Sequence, residues 1–318
     1  MSGPVVAVLE PASDEMRARM ETLCPDFDLR FAASGDPADF AEALGEARYA
    51  VTRGLRFPAA ALDDAPKLEL IHQWGTGTDG IPIEAARLRG ITIARSPGVN
   101  APTVAEATVA LMLATLRRLP QVHASLRSGQ WEQPDLWREA RDLGSLTVGL
   151  VGMGAIGTEV AKRLDGFGCA VIYTRASGPM ADCALRFAPL DALVAECDVI
   201  SLHLPLTDTT RAMIDADALA SMKQGAVLIN TSRGGLVHEA ALVAALVSGH
   251  LSGAGLDVFS SEPVSADNPL LSMPQVVTLP HVAGRTLDNF DRMVSHWADN
   301  IRAHAAGRQI APECLVSA

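Results

Sequence analysis

Cysteine is sparse and unpaired in this chain of 318 residues: Cys24, Cys169, Cys183, Cys197 and Cys314 stand far apart, with no C-x-x-C pair and no spacing typical of a zinc site. The pattern argues against a disulfide framework or a metal centre and points to reduced thiols. Basic charge is in deficit, with 26 Lys and Arg against 37 Asp and Glu and a net charge of −11. Such a surface repels phosphate backbones and anionic lipid, which argues against nucleic acid or a membrane as partner. Long hydrophobic runs are missing too. Ala107 to Leu116 is bounded by Glu106 and Arg117 and falls well short of the ~20 residues that cross a bilayer. The amino terminus, MSGPVVAVLEP, has no basic n-region, and its apolar run stops at Glu10 and Pro11. There is no fixed-period repeat and no low-complexity tract. The expectation is a soluble, cytoplasmic protein.

What is present is a chain too long for one small core, 48% hydrophobic, so two domains are expected. The first hundred residues alternate strand-like and helix-like runs: VVAVLE, a charged helix from about Ser13, FDLRFA, a helix around Pro37 to Glu46, then YAVT, LELIHQW and ITIAR. A second series follows with LTVGLV, AVIYT, DVISLHL, AVLINT, GAGLDVF and QVVTLP. This alternation is the grammar of an α/β protein. Thr103-Val-Ala-Glu106 reads as a capping box that opens an apolar helix running toward Pro120. Residues Gln121 to Leu143 are polar, hold Trp131 and Trp137 and lack a clean period; they are either a subunit-contact arm or a surface excursion.

LTVGLV leads into Gly152-Met-Gly154-Ala155-Ile156-Gly157, then a helical run and the strand AVIYT. A lone G-x-G-x-x-G is weak evidence, but strand before, helix after and a second strand beyond make dinucleotide binding the favoured reading. One glycine makes the turn, one admits a pyrophosphate, one lets helix pack on strand, and the N–H groups of Ala155 and Ile156 at the helix start face the phosphates. At the end of the second strand, where an NAD enzyme presents a carboxylate to the ribose, stand Arg175 and Ser177. A guanidinium suits a 2′-phosphate, so NADP(H) is favoured with NAD(H) as the alternative.

Three further motifs each follow an apolar strand-like run: NTSRGG (230 to 235), GLDVFSSEP (255 to 263) and LPHVAG (279 to 284). They deliver Arg233, Glu262 and His281 to strand ends, where ligands of open α/β sheets bind. Reducing a 2-oxo acid needs a hydride on the carbonyl carbon, a proton on its oxygen and an anchor for its carboxylate. Imidazole titrates near neutrality and can give or take the proton. A carboxylate beside it favours the imidazolium and fixes the ring, and a guanidinium matches the substrate carboxylate. Taken singly, each residue has an ordinary structural explanation; together, in this order, they read as an active site. Asp79 caps the following helix or meets ligand with equal merit.

With GTGTDGI (75 to 81), PGVNAPTVAE (97 to 106) and VGMGAIG (151 to 157) added to these three motifs, nearly the whole chain resembles the D-isomer-specific 2-hydroxyacid dehydrogenases, the glyoxylate/hydroxypyruvate reductase-like members in particular. The resemblance implies a Rossmann-type doubly wound parallel sheet plus a flavodoxin-like, discontinuous substrate domain. The expected boundaries are 1–98 for the first segment of the substrate domain, 99–286 for the dinucleotide-binding domain, and 287–318 for a C-terminal helix and tail returning to the substrate domain, with the active site in the cleft between them. By resemblance Arg233 binds the substrate carboxylate, Glu262 supports His281, and His281 exchanges the proton. Asp257 and Ser96 would lie at the nicotinamide, Thr231 and Ala283 would line the cofactor with backbone atoms, and Thr76 and Gly77 would meet substrate. A small 2-oxo acid as substrate and a homodimer as assembly are implied. Trp74 either narrows the substrate pocket or packs, and His238 replaces an acid common in the family. The rivals are a dinucleotide-sensing regulatory or scaffold protein on the same fold, and a formate or phosphite dehydrogenase.

Overall fold

Strand-forming apolar runs and the helices between them assemble into two all-parallel sheets in the computed structural model, which describes residues 3–131 and 136–316. The chain divides into two compact units, Met1–Asn100 with Thr286–Ala318, and Ala101–Arg285.

The first unit runs β1 (Val5–Val8), α1 (Asp14–Leu23), β2 (Asp28–Phe31), α2 (Pro37–Leu44), β3 (Tyr49–Thr52), β4 (Leu70–Gln73), α3 (Ile83–Leu88) and β5 (Thr92–Ala94). Helix α1 begins where the Ser13 hydroxyl accepts the N–H of Met16, with Asp14 and Glu15 complementing the helix dipole. The strands lie in the order β2-β1-β3-β4-β5, the flavodoxin-like arrangement in which β1 and β3 mark the switch in winding direction. Parallel strands are covered on both faces, and β3 and β4 are accordingly buried at every residue.

The second unit opens with α4 (Ala101–Leu116), α5 (Leu119–Arg127) and α6 (Leu136–Glu139). It continues through β6 (Thr147–Val151), α7 (Ala155–Asp165), β7 (Ala170–Thr174), β8 (Arg186–Phe187), α8 (Leu190–Glu196), β9 (Val199–Leu202), α9 (Ala216–Ser221), β10 (Ala226–Asn230), α10 (Glu239–Val247), β11 (Leu251–Leu256) and β12 (Val276–Thr278). The sheet order is β12-β11-β10-β9-β6-β7-β8, which is Rossmann winding with β6 as its first strand and the reversal between β6 and β9. Helix α4 starts at Ala101, two residues before the expected capping box, so Thr103 lies inside the first turn and Glu106 instead pairs with Arg163 at 3.1 Å. Pro102 explains the shift, since its fixed φ suits a first helical turn. Arg118 then takes φ 52° and α5 begins at once, with Pro120 in its first turn. In the segment expected to be irregular, 121 to 143, residues 132–135 lie outside the described residues, and α5 and α6 occupy much of the rest.

Helix α11 (Leu287–Ala305) is capped by Thr286 and buries Met293, Val294, Trp297, Ala298 and Ile301 along one face. These residues pack with Val6, Val8, Tyr49 and Leu70 of the first sheet. Trp297 stacks on Phe27 at 6.3 Å, and Trp74 packs against Trp297 and Phe290, so in this unit Trp74 is a core residue. Among the described residues no helix is long and apolar enough to cross a membrane, and no group of His, Cys, Asp and Glu is arranged to hold a metal ion. The five cysteines are free, and burial pushes the Cys24 and Cys197 thiols up to about 12, which leaves them unreactive.

Polar groups also cross this interior. His72 on β4 donates from Nδ1 to the Gln73 carbonyl (2.8 Å) and accepts at Nε2 from Asn300 of α11 (2.9 Å), the carbonyl partner dictating the tautomer. Burial pushes the imidazole down to about 3. The native state therefore refuses a proton that the unfolded chain binds below about 6.5. Stability is expected to fall as pH drops from about 6.5 toward 3, by linkage. Urea unfolding across that window measures it, and His72→Gln should flatten the pH dependence.

Candidate active site

The carboxyl ends of the seven parallel strands carry the glycine loop, Arg175, Arg233, Asp257, Glu262 and His281. After β6, Gly152 takes φ 102°, and a Cβ there would lie 2.3 Å from the carbonyl oxygen of His203. A Cβ on Gly157 would lie 2.2 Å from the Gly152 carbonyl, so α7 packs on the strand end only because both residues lack one. Gly154 differs. It is the N-cap of α7, and a Cβ there would meet nothing within 4 Å. The loop thus keeps open space at the helix start, where the N–H groups of Ala155 and Ile156 and the helix dipole favour a phosphate. These residues fit a dinucleotide.

Arg175 directly follows β7, and its Nε donates to the Ser177 hydroxyl. The N–H of Gly152 donates to the Thr174 carbonyl at 2.9 Å, which ties the glycine loop to this strand end. The two residues expected to choose between cofactors therefore stand beside the loop expected to hold the pyrophosphate.

Arg233 follows β10 on a turn set by Asn230, whose side chain donates to the Arg233 carbonyl (2.9 Å) and accepts the Ser232 N–H (3.0 Å). Ser232 donates to the Leu202 carbonyl at 2.6 Å, and Thr231 shares a 2.9 Å hydrogen bond with Thr108 of α4. The guanidinium of Arg233 donates to the Ser232 carbonyl at 2.8 Å. Gly234 is pressed on the Phe259 backbone, where a Cβ would come within 1.9 Å of the carbonyl carbon.

Beyond β11, Glu262 accepts the Phe259 N–H at Oε1 (3.0 Å) and meets His281 Nδ1 at Oε2 (2.7 Å). The side chains are 52% (His281) and 36% (Glu262) exposed, so the pair is reachable from solvent. Burial alone would raise the Glu262 carboxyl. The His281 hydrogen bond, the Phe259 N–H and the positive charges of His281 and Arg233 outweigh it and hold the carboxyl below the usual range.

His281 takes φ 54°, a left-handed conformation that disfavours a residue with a Cβ by roughly 1–2 kcal/mol. Asp257 holds it there. The Asp257 carbonyl accepts the His281 N–H (2.8 Å), and its carboxylate oxygens accept those of Val282 (2.7 Å) and Ala283 (2.9 Å). Burial pushes the Asp257 carboxyl up, against the pull of these two N–H donors.

Other expectations meet a different structure. Ser96 is fully buried in the first unit, with its hydroxyl 3.0 Å from His296 Nδ1. Thr76 is exposed, its hydroxyl donating to the Ser96 carbonyl (3.3 Å), and Gly77 is half-buried beside it. Asp79 does not cap α3, which starts after Pro82. His238 takes up helix capping in place of an acid, its Nδ1 accepting the Ala241 N–H at 3.2 Å.

Thr108, Ser232, Asn230 and His203 were not singled out as functional in the sequence, yet they shape the site. His203 directly follows β9, its ring is 2.9 Å from the Ser201 hydroxyl, and burial pushes it down to about 3, so it stays neutral beneath the glycine loop. The available signal was position: DVISLHL ends beside the strand that leads into that loop.

Gly154→Ala is expected to leave the melting temperature nearly unchanged, because the protein has room for the methyl group, and to weaken dinucleotide binding by about tenfold or more. Calorimetric titration beside a thermal melt reads both.

Residues 109–283 match the model of the D-isomer specific 2-hydroxyacid dehydrogenase NAD binding domain. A glyoxylate reductase of Korarchaeum cryptofilum is 39% identical over 81% of this chain and 79% of its own length. A D-3-phosphoglycerate dehydrogenase of Mycobacterium tuberculosis is 36% identical over 99% of this chain but 59% of its own, so the chain spans about three fifths of that relative. The crystal structure of an NADPH-dependent glyoxylate/hydroxypyruvate reductase from Sinorhizobium meliloti superposes with a TM-score of 0.85 at 31% identity, covering 99% of this chain and 98% of that one. A Rossmann sheet whose strand ends bring together a glycine loop, an arginine and a carboxylate-bound histidine accords with these matches, and the chain belongs to the D-isomer specific 2-hydroxyacid dehydrogenase family.

Proposed function

We propose that this chain is a nicotinamide-dependent 2-hydroxyacid dehydrogenase that reversibly reduces a small 2-oxo acid of the glyoxylate or hydroxypyruvate kind, with NADP(H) preferred. The observation that carries the reading is the 2.7 Å contact between His281 and Glu262 at the end of the sheet where Arg233 follows β10. When bound, the reduced dinucleotide supplies the hydride for the substrate carbonyl carbon. Glu262 engages Nδ1 and so directs Nε2 as the ring nitrogen that gives its proton to the carbonyl oxygen. In oxidation the same nitrogen takes the hydroxyl proton. Glu262 fixes the orientation of the ring, and Arg233 binds the substrate carboxylate through paired donors and polarises the adjacent carbonyl.

Arg175 and Ser177 support the cofactor preference, because a guanidinium and a hydroxyl already bonded to each other form a receptor for a 2′-phosphate. A homodimer is the assembly this reading favours. Leu119, Leu126, Trp131 and Trp137 are exposed, and Leu119, Val122, Leu136 and Trp137 line one groove. Exposed leucines and tryptophans around such a groove support this assembly.

A panel of glyoxylate, hydroxypyruvate, phosphohydroxypyruvate, formate and phosphite, run with both cofactors, tests the substrate class; turnover of formate or phosphite alone would refute it. His281→Ala should lower kcat by about 10²- to 10⁴-fold while NADPH affinity stays near wild type. Steady-state kinetics with a fluorescence binding titration separates the two quantities. Arg175→Asp should shift the kcat/KM ratio toward NADH, and an unchanged ratio would assign the preference elsewhere.

A further inference from the structure

Glu262 sits on a stretch between Leu256 and Pro269 that contains no helix or strand. A carboxylate on such a stretch can hold His281 at 2.7 Å only if the stretch is tied down on both sides of it. Glu239, the first residue of α10, supplies both ties: Oε2 accepts the Ser260 N–H (3.1 Å) and Oε1 accepts from the Asn268 side chain (2.8 Å). One side chain therefore closes residues 260 to 268 into a loop with Glu262 inside it. Asn268 is itself ordered, its Oδ1 accepting the Leu270 N–H (3.0 Å). The helix that carries Glu239 is held in turn by the His238 cap, and it follows Gly234, which is pressed on the Phe259 backbone.

We propose that Glu239 is a positioning residue for catalysis, acting through Ser260 and Asn268 to hold the Glu262 carboxylate on His281. The proposal rests on the assignment of Glu262 and His281 given above. Glu239 touches neither of them, so its effect must travel through the loop. Loss of its two acceptor oxygens releases the loop from α10, and displacement of a catalytic group by about 1 Å is enough to lower turnover by about 10²-fold. The carboxylate of Glu239 is suited to this work because it accepts twice in opposite directions, whereas a glutamine offers one acceptor.

The experiment is a double-mutant cycle on the full chain, with kcat, KM for the 2-oxo acid, NADPH affinity and the pH profile of reduction measured for each variant. Glu239→Ala should lower kcat between about 10- and 100-fold with NADPH affinity unchanged, and Glu239→Gln should fall between it and wild type. In a Glu262→Gln background the further change to Glu239→Ala should be within about twofold, since residues acting as a unit are not additive. The alkaline limb of the pH profile should move in the same direction in Glu239→Ala as in Glu262→Gln, which a residue that merely stabilises the fold would not cause. Should Glu239→Ala fail to fold, Glu239→Gln carries the same cycle. If Glu262→Gln lowers kcat but Glu239→Ala does not, or if the two effects multiply independently, the positioning role is overturned. If Glu262→Gln itself retains wild-type turnover, the assignment of the catalytic pair fails instead.

Discussion

A single buried aspartate, Asp257, holds three consecutive residues at the end of a neighbouring strand: its carbonyl takes the N–H of His281 and its carboxylate takes those of Val282 and Ala283. Because β11 and β12 are paired in parallel, with Leu256 opposite Thr278, the chain leaving β12 is within reach of this carboxylate. The three bonds offset the unfavourable left-handed backbone of His281. With the backbone so fixed, the imidazole meets a carboxylate that leaves the same strand as Asp257 and lies five residues further on. Without that grip the His281–Glu262 contact would have to be held by two half-exposed side chains alone, and solvent-exposed ion pairs typically contribute only about 1 kcal/mol or less.

The same principle repeats along the sheet edge. Asn230 shapes the turn that presents Arg233, Ser232 ties it to β9 through the Leu202 carbonyl, and Thr231 ties it to α4 through Thr108. Gly152 and Gly234 are places where two strand-end loops touch backbone to backbone, with no room for a side chain. The polar groups that would react with a ligand are thus few and partly exposed, while those that hold them are many and mostly buried. A group whose backbone is already constrained loses little further freedom when it engages a ligand. The first unit uses buried polar pairs in a comparable way. His72 to Asn300 and Ser96 to His296 fasten α11 and the strand ends of β4 and β5 inside the unit built from both chain segments.

The strands were plain in the sequence because parallel strands buried on both faces read as continuous apolar runs, and each of the eleven strand-like runs named from the sequence is a strand in the structure. The three motifs were legible for a related reason: an apolar strand run that gives way to polar residues, glycine or proline announces where its loop will lie. Legibility stopped where a side chain has two uses of equal chemistry. The hydrogen bond of the Ser96 hydroxyl to His296, 200 residues away, has no trace in the local sequence. Thr103 with Glu106 fits a capping box, but Pro102 allows the helix to start at Ala101. Trp74 fits a pocket wall as well as a core, and the rings of Trp297 and Phe290 claim it.

By itself the sequence determined the α/β class, the glycine loop and the strand-end position of Arg233, Glu262 and His281, because apolar periodicity and strand-end motifs are local properties of the chain. Only the tertiary structure decided which groups hold them. Asp257 lies 24 residues from His281, Thr108 lies far from Thr231 along the chain, and Glu239 reaches across to Ser260 and Asn268. Hydrogen bonds between strand ends depend on sheet order and register, which no local pattern of residues records.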